Sequence, residues 1–123
     1  ISTTETLHAL GQVQSSFAAG EVVDEAAGQV RRRFIVDFNA GDLEYYLSDP
    51  KRVTVATAVS RGSVAGTIVD ANVAAKGFRA IVDVTLGPGE STDLSLFLRT
   101  AKHALTETWT TSWAAAAPQQ APP

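Results

Sequence analysis

The sequence predicts an all-β sandwich. Apolar residues recur at every second position over several short runs, and turns rich in Gly, Pro, Asn and Asp separate those runs. No stretch shows the period of an amphipathic helix. With 123 residues, 45% hydrophobic and 19% charged, the chain suits one domain with a real core and is too short for two.

The elements follow in order. Residues 1–11, ISTTETLHALG, keep no settled period and read as a lead-in. QVQSSFA offers a short strand, Val13 and Ser15 alternating with Gln12 and Gln14; AGEVVDEAAGQV reads as a loop. RRRFIVDF puts Phe34, Val36 and Phe38 on one face, because residues two apart in a strand point the same way. NAGD is a turn of residues that tolerate positive φ. Leu43, Tyr45, Tyr46 and Leu47, ahead of SDP, read as a helical turn or a crossing loop. RVTVATAVS aligns Val53, Val55, Thr57 and Val59, and RGS turns the chain into VAGTIVDA. GFRAIVDVTL is the clearest strand, with Phe78, Ala80, Val82, Val84 and Leu86 opposite Arg79, Asp83 and Thr85. After the turn GPGES, Leu94, Leu96 and Leu98 alternate with Ser95 and Phe97; LTETWTTSW is the last strand. The tail AAAAPQQAPP, residues 114–123, reads as an extended or disordered terminus.

Composition excludes several kinds of chemistry. A net charge of −3 gives no pull toward nucleic acid or anionic lipid, and Arg31-Arg32-Arg33 leads straight into an apolar strand. The lack of cysteine removes disulfides, thiolate zinc sites and thiol nucleophiles. His8 and His103 are the only histidines and lie outside any metal-binding spacing, so no metal is expected. GPGE is a hairpin turn and no phosphate-cradling glycine motif is present, so no cofactor is expected either. No apolar run reaches spanning length and no signal peptide is seen. A chain that opens on Ile1 and holds no methionine is expected to be a piece of a longer or processed product.

The stretch HALTETWTTSW poses the functional question. In an unbroken strand Leu105, Glu107, Trp109, Thr111 and Trp113 share one face. Burying one tryptophan removes roughly 150–250 Å² from water, about 4–6 kcal/mol gross, which favours a core role for both rings. As a sugar platform the rings would stand roughly 13 Å apart, too far to grip one pyranose. Glu107 interrupts the apolar face and needs a partner. An ion pair with Arg61, Arg79 or Arg99 is the expected one; half of a catalytic acid pair and a bulge in the strand are the alternatives.

Three stretches together resemble the periplasmic glucan biosynthesis proteins G and D. RRRFIVDFNAGDL looks like the strand that opens that family's C-terminal domain. VSRGSV followed by GFRAIVDVTLGPGESTDLSLFLRT is similar to its arginine-glycine turn, Gly-x-Arg strand and leucine-rich strand. HALTETWTTSW matches its Leu-[Ser/Thr]-Glu-Thr-Trp ending and second tryptophan. NVAAKG and TTS lack aromatics that the family often carries there, which weakens a sugar surface at those points.

The resemblance implies an immunoglobulin-like β-sandwich of about seven strands over residues 31–113, with 1–30 a linker or the end of a preceding domain. It implies a periplasmic setting and a larger N-terminal domain that carries the glucan cleft and any catalytic carboxylates. The motif residues are Arg61, Gly62, Arg79, Glu107, Thr108, Trp109 and Trp113, expected to hold the sandwich and dock it to that domain. A membrane-bound glucan synthase is a second expected partner. The function expected is a non-catalytic module in osmoregulated β-1,2-glucan biosynthesis. The rival readings are a component of a β-1,2-glucan-cleaving glycoside hydrolase, and a stand-alone carbohydrate-binding module using Trp113, Tyr45 and Tyr46.

Overall fold

The structure is a computed structural model that describes residues 10–116. The first nine residues, His8 among them, and residues 117–123 of the tail lie outside the described residues; the start of that tail is ordered, against expectation, since Ala114 ends the last strand and Ala115 is buried with its N–H on Glu90 O. Among the described residues eight strands follow one another: β1 (Gln12–Ala18), β2 (Val22–Asp24), β3 (Gln29–Asn39), β4 (Thr54–Val59), β5 (Ser63–Asn72), β6 (Gly77–Leu86), β7 (Ser91–Arg99) and β8 (Trp109–Ala114). They form two antiparallel sheets. One has the order β1-β3-β6-β5, with β2 added on β3; the other is β4-β7-β8. With β2 set aside, the order matches the ABED and CFG sheets of a constant-type immunoglobulin sandwich, lettered along the chain.

The core lies where period-two alternation is strongest. β3 contributes Val30, Phe34, Val36 and Phe38, and β6 contributes Phe78, Ala80, Val82, Val84 and Leu86. The facing sheet answers with Leu94, Leu96 and Leu98 of β7 and Trp113 of β8. Each large side chain so buried contributes about 1.5–3 kcal/mol of transfer free energy. Leu43, in a 3-10 turn over Gly41–Tyr46, joins the same buried cluster. Of residues 43–50, where a helical turn and a crossing loop were both open, that turn takes 43–46, and Pro50 opens a second 3-10 turn, Pro50–Arg52.

Two expectations need correction. The described part of the 1–30 segment is not merely a linker: β1 pairs with β3 from Gln12↔Asn39 to Ala18↔Phe34, and β2 pairs from Val22↔Arg31 to Asp24↔Gln29. These strands leave a weak pattern because ladder bonds hold them and burial does not. β2 is exposed throughout, and only Val13 and Ala18 of β1 reach the core cluster. With β2 the described residues hold eight strands, in keeping with the expected count of about seven.

The second correction concerns LTETWTTSW, which is not one strand. β8 begins at Trp109, while Leu105 and Thr106 are buried in succession and Glu107 and Thr108 are exposed. The cause lies in the backbone of Leu98. Its carbonyl accepts the Leu105 N–H at 2.8 Å, and its N–H donates to the Thr106 hydroxyl at 3.0 Å. A side chain thus takes a place that a ladder carbonyl would hold. Two residues serve one partner, and the alternation slips by a position, as in a bulge.

Candidate functional site

The motif residues sort into three places. At the first, the segment before β8 meets the segment before β1. Gly11 and Thr106 form a parallel bridge: Gly11 N–H donates to Leu105 O at 2.8 Å and Glu107 N–H to Gly11 O at 2.9 Å. The Glu107 carboxylate then accepts the Val13 N–H at 2.8 Å. Glu107 is therefore neither on the buried face nor paired with an arginine. The slip in alternation turns it outward, and a backbone amide of β1 takes the role expected of a guanidinium. The three candidate arginines bond elsewhere: Arg61 to Glu90, Arg79 to Asp37, and Arg99 to the carbonyl of Thr100.

Both tryptophans pack on Phe34 of β3. Ring centroids lie 6.0 Å apart for Trp109 and 5.9 Å for Trp113, the latter edge-on. Trp113 is 3% exposed, whereas Trp109 is only half-buried, so the ring nearer the strand's end is the deeper one. Its indole N–H needs an acceptor once buried. Glu21, between β1 and β2, supplies it at 2.7 Å and takes the Ala116 N–H on its other oxygen at 3.2 Å. Arg32 lies 5.9 Å over the Phe34 ring and donates to Ala19 O. Thr108 is exposed beside this group.

The second place is the β4–β5 corner. Arg61 N–H donates to the Thr92 hydroxyl at 3.1 Å, and its guanidinium lies 3.5 Å from Glu90. Gly62 has φ 82°, and a Cβ there would fall 2.2 Å from Thr85 O and 2.6 Å from Leu86 Cδ2. Only glycine fits this approach.

The third place is the outer face of the larger sheet. Arg79 holds Asp37 with Nε at 2.8 Å and Nη2 at 3.1 Å, and Arg33 holds Asp83 at the same distances. Each guanidinium hydrogen-bonds its carboxylate and holds it below the usual aspartate range, against the opposing pull of partial burial. Each arginine is raised in turn by the same hydrogen bond. Beside Arg33 and Asp83 lies a hollow of about 330 Å³, bordered by Ala19, Gly20, Val22 and Arg31.

The sugar-contact residues do not form a row. Trp113 is buried, Tyr46 is half-buried with Arg52 5.5 Å over its ring, and Tyr45 stands 80% exposed. Tyr45 borders a shallow hollow of about 370 Å³ with Gly41 and Glu44. Among the described residues, no three metal-ligating groups gather. Sequence reasoning missed Glu21, which sits in a stretch taken as loop and gives no local sign of its partner 92 residues on. It also passed over Ile35 and Ile81, whose parity with Arg33, Asp37, Arg79 and Asp83 marks them as outward.

The sequence model of the family described as "Periplasmic glucan biosynthesis protein, MdoG" matches residues 2–113. Glucans biosynthesis protein D of Xanthomonas campestris pv. campestris is 39% identical over 100 residues, covering 76% of this chain and 18% of that protein. The protein of the same name from Xanthomonas axonopodis pv. citri is 36% identical over 107 residues, with 82% and 20% covered. That from Stenotrophomonas maltophilia is 38% identical over 101 residues, with 79% and 18% covered. The chain thus spans about a fifth of the length of these relatives.

Proposed function

The chain belongs to the MdoG family of periplasmic glucan biosynthesis proteins, and on that premise we propose that it is a non-catalytic, immunoglobulin-like module that works in the periplasm. Its task in β-1,2-glucan biosynthesis is to dock and orient a larger glucan-binding domain. A membrane glucan synthase is the further partner this role would serve. The observation that carries the reading is the use made of the motif side chains. Glu107 bonds the start of β1 and Trp113 the segment that follows it, and Gly62 permits a backbone approach. Arg61 braces the corner and Arg79 pairs within the sheet. Residues so engaged hold a shape, and among the described residues these side chains do not converge on a single cleft for a glycosidic bond.

The test is to rebuild a glucan-cleaving relative with and without the portion matching this chain, and to assay linear β-1,2-glucan. A module that orients its neighbour lowers affinity or stability when removed and leaves cleavage measurable. Loss of all cleavage from a neighbour that remains folded would instead make this chain part of the enzyme's cleft. A second reading, direct sugar contact, is favoured only by Tyr45 and its hollow. Titrating the chain with the same glucan and following amide and indole NMR signals tests it. Shifts clustered at Gly41–Tyr46 support contact; a flat titration removes it.

A further inference from the structure

We propose that the outer face of the β1-β3-β6-β5 sheet is a docking site for a second copy of this chain. The cross-strand register places Phe17 beside Ile35, Ile35 beside Ile81, and Ile81 beside Ile68, one apolar row across all four strands. Its two ends are open to solvent, Phe17 63% and Ile68 47% exposed. The rows on either side are ionic. Ser15, Asp37, Arg79 and Asp70 stand on one flank, and Arg33 and Asp83 on the other.

The charge arrangement selects the occupant. β3 carries a cation at Arg33 and an anion at Asp37; β6 carries the reverse, an anion at Asp83 and a cation at Arg79. This square of alternating charge is complementary to itself when turned over. A two-fold axis lying along the strands, midway between β3 and β6, sets Asp37 over the copy's Arg79 and Arg33 over its Asp83. Ile35 then meets Ile81, and Phe17 meets Ile68. An axis lying across the strands at the isoleucine row sets Asp37 over Arg33 and Arg79 over Asp83. Either way each of the four charges meets its opposite. The remaining charges of the face meet no like charge: with the axis along the strands, Asp70 faces Ser15 and Arg31 faces Thr85. Two sheets stacked with strands near-aligned are the ordinary packing of sandwich faces, and a self-complementary patch is what a closed two-fold dimer requires.

The patch sets the strength. Four strands about 4.8 Å apart and three rows about 7 Å apart cover on the order of 400 Å² per copy. That is about 800 Å² in total, the range of weak, reversible association. This inference stands apart from the docking role proposed above, since it concerns contact between copies and not with a glucan-binding neighbour.

Sedimentation equilibrium on the 123-residue chain, from about 10 μM to 1 mM, tests it. The expected result is a concentration-dependent monomer–dimer equilibrium. The pair Phe17→Lys and Ile68→Arg should weaken it by more than about tenfold, because each places a charge against the copy's apolar row. Both side chains are substantially exposed, so circular dichroism and the melting temperature should stay near those of the parent. Thr110→Lys, on the outer face of the other sheet, should leave the dimer intact. A chain that stays monomeric at 1 mM overturns the proposal, as does a dimer that survives the Phe17/Ile68 pair or is lost equally with Thr110→Lys. A longer family protein that is monomeric, with Phe17 and Ile68 shielded from a soluble paramagnetic probe that reaches them in the dilute 123-residue chain, would assign the face to an intramolecular neighbour and overturn it too.

Discussion

The sandwich has two lateral margins where its sheets meet, and they are closed by opposite means. On the side of β1 and β8, side chains do the closing: Glu107 reaches the Val13 amide, Glu21 reaches the Trp113 indole, and two tryptophans pack on Phe34. On the side of β4 and β5 a missing side chain does it. Gly62 lets its backbone come against Thr85 and Leu86, and one hydroxyl, that of Thr92, takes the Arg61 amide. The corner joins strands adjacent in sequence, so a tight turn suffices. The β1–β8 margin joins segments more than ninety residues apart, as the Val13–Glu107 separation of 94 records. No turn can enforce that meeting, and specific partners must.

This contrast can be broken at several points, the largest first. Trp113→Ala should cost about 3–5 kcal/mol in urea unfolding, through the cavity and the stranded Glu21 carboxylate. Trp113→Phe should cost less. Equal losses would mean the indole–Glu21 bond, not burial, closes this margin. Next, Gly62→Ala should cost about 1–3 kcal/mol for the left-handed backbone alone, with the contact on Thr85 O adding to it. A neutral result would show that the corner yields, and that only the far margin is rigid. Glu107→Ala should cost about 1 kcal/mol, and Glu107→Gln should recover part of it because an amide oxygen still accepts from Val13.

The smallest effect lies on the outer face and sharpens the contrast by being indifferent to both margins. Asp37 and Asp83 have folded-state pKa values below those of the unfolded chain. Their contribution is complete above the unfolded value of about 3.9 and disappears as pH falls through the lowered folded values. An Asp37→Asn, Asp83→Asn double variant should therefore flatten the acid limb of a stability–pH curve by lowering its neutral-pH plateau slightly, by less than about 1 kcal/mol per pair, and leave stability below the folded values little changed.

What could be read in the sequence follows the same division. β3, β6 and β7 bury one face against the other sheet, so period two is written into their residues, from Phe34–Val36–Phe38 to Leu94–Leu96–Leu98. Gly62 was legible as a turn residue for the same local reason. Glu107 was misread because its phase is set by Leu98, which takes a hydroxyl from Thr106 where a carbonyl was assumed. β1 was legible as a short strand over QVQSSFA, while β2 was lost in a stretch read as loop because its neighbour, not its own burial, defines it. Ile35 and Ile81 were visible as outward positions, but the row they make with Phe17 and Ile68 exists only once the register is known.

The parallel bridge of Gly11 and Thr106 has a mechanical consequence. The chain enters β1 from one end of that contact and leaves β8 toward the other. A force drawing Leu10 and Ala116 apart therefore slides the two segments along each other and does not peel them. The Gly11–Leu105, Glu107–Gly11 and Val13–Glu107 bonds then bear the load together, not one after another. Tension is met by shear across a clamp, and the fold yields only when all three bonds fail at once.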